Sequence, residues 1–176
     1  TYCDNWQCWI HGKDKAWRVG IRIQLGLQFY ISQGHRFKLF RLSTQHGDPD
    51  PEAWKAFWKA LQRMARYNLY EVRYYWIQLP KKNGDHHIHM VTSWIPEDLD
   101  SLAANFEFDC HVSDPEVVDP KDVKAVAGYM HRNLEKAVGR GDVPKTRGSN
   151  GWPVDREVDK DPDVEDFLTV TSGRKI

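Results

Sequence analysis

Three histidines stand within four positions in "NGDHHIHMVTSW", residues 83–94, at His86, His87 and His89. Imidazoles so close together are there either to pack or to hold a metal ion. Asn83-Gly84 is a strong hairpin signal, because both residues tolerate positive φ, and it lies between the β-forming runs "VRYYWIQL" and "HIHMVTSW". With Asn83 and Gly84 as the two turn residues, Lys82 faces Asp85, Pro80 faces His87 and Gln78 faces His89. Side chains alternate across a strand, so His87, His89 and Gln78 are expected on one face, with His86 and Ile88 on the other. Two imidazoles and an amide oxygen suit a divalent ion that keeps positions open for water or phosphate. Strand histidines with no ligand are the plain alternative on the hairpin alone.

A second candidate lies in "DPKDVKAVAGYMHRNLEKAVGRG". Asp119-Pro120 opens a helix there, and Gly139 or Gly141 closes it. Its apolar stripe runs through Val123, Val126, Ala127, Met130, Leu134 and Ala137. Tyr129, Arg132 and Lys136 fall on a different stripe, displaced by about 100° or more at 3.6 residues per turn. A phenol flanked by cations one and two turns on can be made acidic or can sit beside a phosphate. A boundary tyrosine reaching from core to water is the alternative that the helix leaves open.

The elements that must carry these residues alternate in type. Residues 17–31, "WRVGIRIQLGLQFYI", and 36–44, "RFKLFRLST", read as strands joined through Ser32-Gln33-Gly34. "DPDPEAWKAFWKALQRMARY" reads as a helix with Trp54, Phe57, Trp58, Leu61 and Met64 at helical spacing, as core residues. The hairpin follows, then a short helix in "IPEDLDSLAANF" and a strand in "EFDCHVSDP". This order predicts an α+β domain with a mostly antiparallel sheet. The length of 176 residues suits one domain with a real core. No run approaches the ~18 apolar residues of a membrane span, and no signal-peptide pattern opens the chain, so a soluble protein of a reducing compartment is expected. Cys3, Cys8 and Cys110 make no paired disulfide framework. Cys3-x4-Cys8-x2-His11 is a loose match to part of a zinc site, and unpaired thiols are favoured.

The net charge of zero is unevenly spread. Residues 1–45 hold seven Lys/Arg against two acids, residues 124–147 hold six against two, and "DREVDKDPDVED", residues 155–166, holds seven acids against two bases. A mildly basic body with an acidic tail is compatible with a polyanionic partner. Ordinary solvated surface would read the same way.

Taken together, the motifs resemble the HUH endonucleases, and among them the single-tyrosine rolling-circle replication initiators (Rep proteins) of plasmids and viruses. His87-Ile88-His89 matches the His-hydrophobic-His signature. "FRLST", residues 40–44, resembles the strand placed early in such domains, and "VAGYMHRNLEK", residues 126–136, resembles the helix that bears the nucleophile. "GSNGWP", residues 148–153, is similar to the end of these domains. The resemblance implies an α+β, RRM-like fold with the metal site on the sheet and the nucleophile on a helix. It implies a core over 36–155, preceded by an N-terminal extension, 1–35, contributing strands, and followed by an acidic tail, 156–176.

The same resemblance implies a chemistry. His87, His89 and Gln78 would hold Mg²⁺ or Mn²⁺, with Glu71 as the alternative third ligand. Tyr129 would attack a scissile phosphate, and Lys136 and Arg132 would steady it. Arg41, Ser43, Arg140, Lys145 and Arg147 are the candidate DNA contacts. The expected substrate is single-stranded or hairpin origin DNA, the expected partners a host helicase and polymerase with no membrane, and the location cytoplasmic or, for a eukaryotic virus, nuclear. The sequence departs from the family where Arg132 replaces a common lysine and where Asn133 replaces the second tyrosine of two-tyrosine members. A single-tyrosine transposase or relaxase shares these motifs, and a non-catalytic, zinc-containing nucleic-acid-binding domain is the more distant alternative.

Overall fold

The computed structural model describes residues 5–8, 11–44, 51–67, 71–80, 86–112, 116–149 and 151–152. Cys3, the Asn83-Gly84 turn and the acidic tail lie outside the described residues. Helix α1 spans His11–Ser32, strand β1 Lys38–Thr44, α2 Pro51–Tyr67, β2 Tyr74–Pro80, β3 His86–Thr92, α3 Leu99–Ala104, β4 Phe108–Val112, α4 Pro120–Gly139 and β5 Lys145–Gly148. The strands form one five-stranded sheet in the order β4-β1-β3-β2-β5. Every pairing in it is antiparallel. The segment β1-α2-β2-β3-α3-β4 supplies an RRM-like α+β core, to which α1, α4 and β5 are added.

Directly opposed residues in an antiparallel pair share a face, so the register assigns every strand side chain to one of two cores. Tyr75, Ile77, Leu79 and Val91 pack with residues of α1 and α4, including Ile23, Leu27, Met130 and Leu134. Phe40, Leu42, Ile88 and Met90 pack on the other face with Phe57 and Leu61 of α2 and Leu99 and Ala103 of α3. Helix α4 starts as its sequence predicts. Asp119 caps it, its side chain accepting from the Asp122 backbone N–H at 2.9 Å, with Pro120 following.

Residues 17–31 are not a strand. They lie inside α1, whose buried positions include Ala16, Val19, Gly20, Ile23, Leu27 and Tyr30, at steps of three and four. The alternation of Val19, Ile21, Ile23, Leu25 and Leu27 imitates a strand because the helix is apolar over more than half its circumference. A wide apolar face blurs the 3.6-residue period and leaves the β-branched residues to suggest period two. The N-terminal extension therefore contributes a helix against α4 rather than strands to the sheet.

One indole closes this layer. Trp152 donates through Nε1 to the carbonyl oxygen of Arg22 at 2.9 Å and packs beside Tyr30, Phe37 and Tyr75, at ring separations of 5.4, 6.1 and 5.5 Å. Gly26 permits that approach, since a Cβ there would overlap the indole ring. A mid-helix glycine costs about 1 kcal/mol against alanine, and the buried tryptophan offsets it.

Candidate active site on the α4 face of the sheet

The central strand β3 carries His87 and His89, which the alternation of side chains puts on the face covered by α1 and α4. Across from them on β1 stand Ser43, opposite His87, and Arg41, opposite His89. The next strand out extends both rows, with Asp109 opposite Ser43 and His111 opposite Arg41. On the other side, Leu79 of β2 faces His87 and Ile77 faces His89. The polar half of this face therefore runs from β3 toward the β4 edge, and the apolar half runs under α4.

Helix α4 brings Tyr129 onto the polar half. Its ring meets His89 edge to face, with centroids 5.1 Å apart and planes at 83°, and the His87 and His89 rings are themselves 4.8 Å apart. Tyr129 and His89 line a pocket of about 360 Å³ together with Leu39, Arg41 and His111. Helix α4 is tied to the neighbouring strand β2 at one end, where Arg140, just beyond α4, donates to the carbonyl oxygen of Pro80.

His89 is 2% exposed, and neither of its ring nitrogens has a hydrogen-bond partner among the described residues. Burial pushes its pKa down to about 3, with the His87 and Arg41 charges adding to the effect. The ring is neutral at physiological pH. It holds a lone pair in a dry site, which is the state in which imidazole binds a metal ion. With the half-buried His87 on the same strand face, it fits a divalent ion that takes its other ligands from water or phosphate oxygens. Among the described residues no group of three or more His, Cys, Asp or Glu side chains is placed to hold an ion.

Gln78 does not complete the site. It pairs with Ile88, which puts it on the opposite face of the sheet from His87 and His89. The cause is the connection. Pro80 pairs with His86, so residues 81–85 separate the paired positions, and an odd-length connection shifts the register by one from that of a two-residue turn. Burial could not have revealed this, because β2 is buried on both faces. Glu71, the other candidate, precedes β2, is exposed and is paired with Arg73.

The remaining sequence candidates divide by location. Arg41 and Ser43 stand beside the histidines. Arg132 and Lys136 are on the exposed side of α4, and the Arg132 guanidinium lies near Gly128 one turn back. Arg140 is committed to Pro80 and to an ion pair with Asp142 at 2.6 Å. Lys145 and Arg147 oppose Gln78 and Trp76, on the far face. Sequence reasoning missed His111 and Asp109. The alternation in "FDCHV", with apolar positions at 108, 110 and 112 and polar ones between, was the available signal, and aligning that strand beside β1 would have put both in the histidine rows. Near the N-terminus, Cys8 Sγ lies 3.4 Å from His11 Nδ1, and neither Cys8 nor Cys110 is in a disulfide among the described residues.

Comparison with protein-family models, curated proteins and solved structures gives no match to this chain. No helix among the described residues is long and apolar enough to cross a membrane.

Substituting Gln78→Leu should leave any metal-dependent activity of the α4 face within about twofold, whereas His89→Ala should abolish it. Equal loss from both would return Gln78 to the site. Acid should also weaken the fold through His89. Its folded pKa lies below the unfolded value, so the unfolded chain binds the extra proton between the two. Stability is then full above about pH 6.5 and is lost as pH falls toward 3. Denaturant midpoints measured from pH 7 to pH 4 should fall for the natural chain and fall less for His89→Ala.

Proposed function

We propose that the protein is a replication-initiator endonuclease of the HUH type, which nicks single-stranded DNA at an origin through a phosphotyrosine intermediate. The observation that carries this reading is the contact of Tyr129 with His89, beside His87, at the rim of an open pocket. A phenol next to a neutral, buried imidazole, with a second imidazole beside it, is the arrangement that a tyrosine nucleophile and a phosphate-activating metal require.

His87 and His89 would hold Mn²⁺ or Mg²⁺, which when bound polarises the phosphate and offsets the charge developing on its oxygens. Tyr129 Oη attacks phosphorus and loses its proton. The bond from phosphorus to the 3′ oxygen breaks, leaving a 5′ phosphate on the tyrosine and a 3′ hydroxyl that a polymerase can extend. A later hydroxyl can reverse the attack and rejoin a strand. Arg41, beside His89, is placed to meet a phosphate oxygen entering the pocket. Arg132 and Lys136, exposed on the solvent side of the same helix, are the cations that would meet the DNA backbone on either side of the cut. Duplex DNA would keep the scissile phosphate from so recessed a tyrosine, so the substrate is single-stranded or extruded as a hairpin. A host helicase and polymerase would act with it at the replicon.

The test is incubation with a pool of single-stranded oligonucleotides and Mn²⁺. A covalent protein–DNA band that survives denaturation and disappears with chelator supports the reading. Absence of any adduct across the pool, with the protein folded and Mn²⁺-bound, would remove it.

A further inference from the structure

On the far side of the sheet from the histidines, α2 meets the β2–β5 edge in a surface that the reaction above does not use. The buried face of α2 is formed by Phe57, Leu61 and Ala65. Trp54 lies within that face at the first turn, stacked on Phe57 and edge-on to Phe108, Trp58 lies at its margin, and both are only partly buried. They continue onto the sheet as one aromatic run. Trp54 and Trp58 lie 6.2 Å apart with planes at 24°, Trp54 meets Trp76 edge-on at 5.8 Å, and Trp58 meets Tyr74 at 4.5 Å. Arg147 then stands directly across from Trp76 on β5, and Lys145 across from Gln78.

The solvent side of α2 adds the second half of the pattern. Lys55, Lys59 and Arg63 follow at steps of four, and Arg66 comes three residues later. At 3.6 residues per turn Lys55 and Arg66 stand about 60° and 80° around the helix from Trp58, and Lys59 and Arg63 about 100° and 140°, on the solvent side. Like charges four residues apart repel and weaken a helix, and α2 carries a single acid, Glu52, to relieve them. Glu52 is paired with Lys55, at 3.5 Å. Lys59, Arg63, Arg66, Lys145 and Arg147 make no ion pair with any described carboxylate. All five are exposed.

We propose that this surface, aromatic between two rows of cations, binds single-stranded polynucleotide, with bases against the tryptophan run and phosphates on the α2 stripe and Arg147. Every base has a face that stacks on an indole, and unpaired cations on both sides track a backbone without reading sequence. A duplex hides its base faces, and an acidic peptide has no use for the aromatic run. The inference stands apart from the nicking reaction, since it uses neither the histidines nor Tyr129. A strand held here could lead to or from the opposite face around the sheet edge.

The experiment is oligothymidylate binding in chelator, followed by fluorescence anisotropy over a range of salt, with the full chain. Lys59→Glu/Arg63→Glu and, separately, Arg147→Glu alter exposed side chains, and thermal melting checks that each variant folds. Each is expected to bind at least tenfold more weakly at low salt and to show a shallower dependence on log salt, by about 0.7 for each phosphate no longer neutralised. An abasic deoxyribose-phosphate oligomer should bind the natural chain less tightly than oligothymidylate. Natural affinity in both variants overturns the proposal. Equal binding of the abasic oligomer, or of a duplex of the same length, overturns the stacking that makes it a single-strand site. The covalent adduct is read on a different variant, Tyr129→Phe, so failure of the nicking reaction leaves this result intact.

Discussion

Tyr129→Phe should reduce the covalent protein–DNA adduct by more than a thousandfold while leaving the fold and the binding of DNA nearly unchanged. The substitution removes one oxygen from a ring that is half-buried against His89 and the α4 layer, and the ring itself, with its edge-to-face contact at 5.1 Å, remains. No hydrogen bond of the Tyr129 hydroxyl holds the structure together among the described residues. A loss of this size without a change in melting temperature therefore has a chemical origin, because a phenyl ring cannot form the ester. Adduct formation at the natural rate would move the nucleophile to another tyrosine. Tyr67, 89% exposed at the end of α2, is the first to examine, although α2 packs on the face of the sheet opposite the histidine pair. Tyr74 and Tyr75 are buried in the sheet and are poor substitutes.

Trp152→Ala should be the most damaging single substitution for stability, by about 3–5 kcal/mol. The indole is 6% exposed and touches three aromatic rings and a helix carbonyl. Its loss opens a cavity between α1 and the sheet that backbone elements on both sides hold open, and the Arg22 carbonyl loses the indole N–H. Trp152→Phe should recover most of the packing and none of the hydrogen bond, for a cost of about 1–2 kcal/mol. Denaturant unfolding measures both. A Trp152→Ala change below about 1 kcal/mol would mean that the last described residues are dispensable to the α1 layer.

The two largest errors in reading this sequence have related causes. The segment Trp17–Ile31 is apolar around most of its helix, which leaves a misleading period of two in place of the helical one, and β2 is buried on both faces, which leaves no wet side to mark its register. Where one face is wet, the pattern was legible. The apolar stripe of α4, the exposure of Arg132 and Lys136 on its other side, and the Asp119-Pro120 start are all present as the sequence indicates. The shared face of His87 and His89 was likewise legible, because it depends only on their spacing along one strand. The partner of that face was not, since pairing depends on the length of the connection at 81–85, and one residue there moves Gln78 through the sheet. His111 and Asp109 reach the site by a pairing between β1 and β4, strands separated by more than 60 residues of chain, which no local signal encodes.

The clasp between Arg22 and Trp152 joins positions 130 residues apart, and α1 also lies against α4, which begins at Pro120. Among the described elements α1 is made before the others, and the surfaces that cover it follow the whole segment from β1 to β4. At about 5–20 residues per second, the apolar side of this helix waits on the order of 5–25 s for its partners. The RRM-like segment from β1 to β4 can pair its own strands in the meantime. Production of this domain is therefore governed by how the nascent chain shields α1, and a chain ending before Trp152 would carry that helix uncovered, as a seed for aggregation, even though every residue of the histidine face had been made.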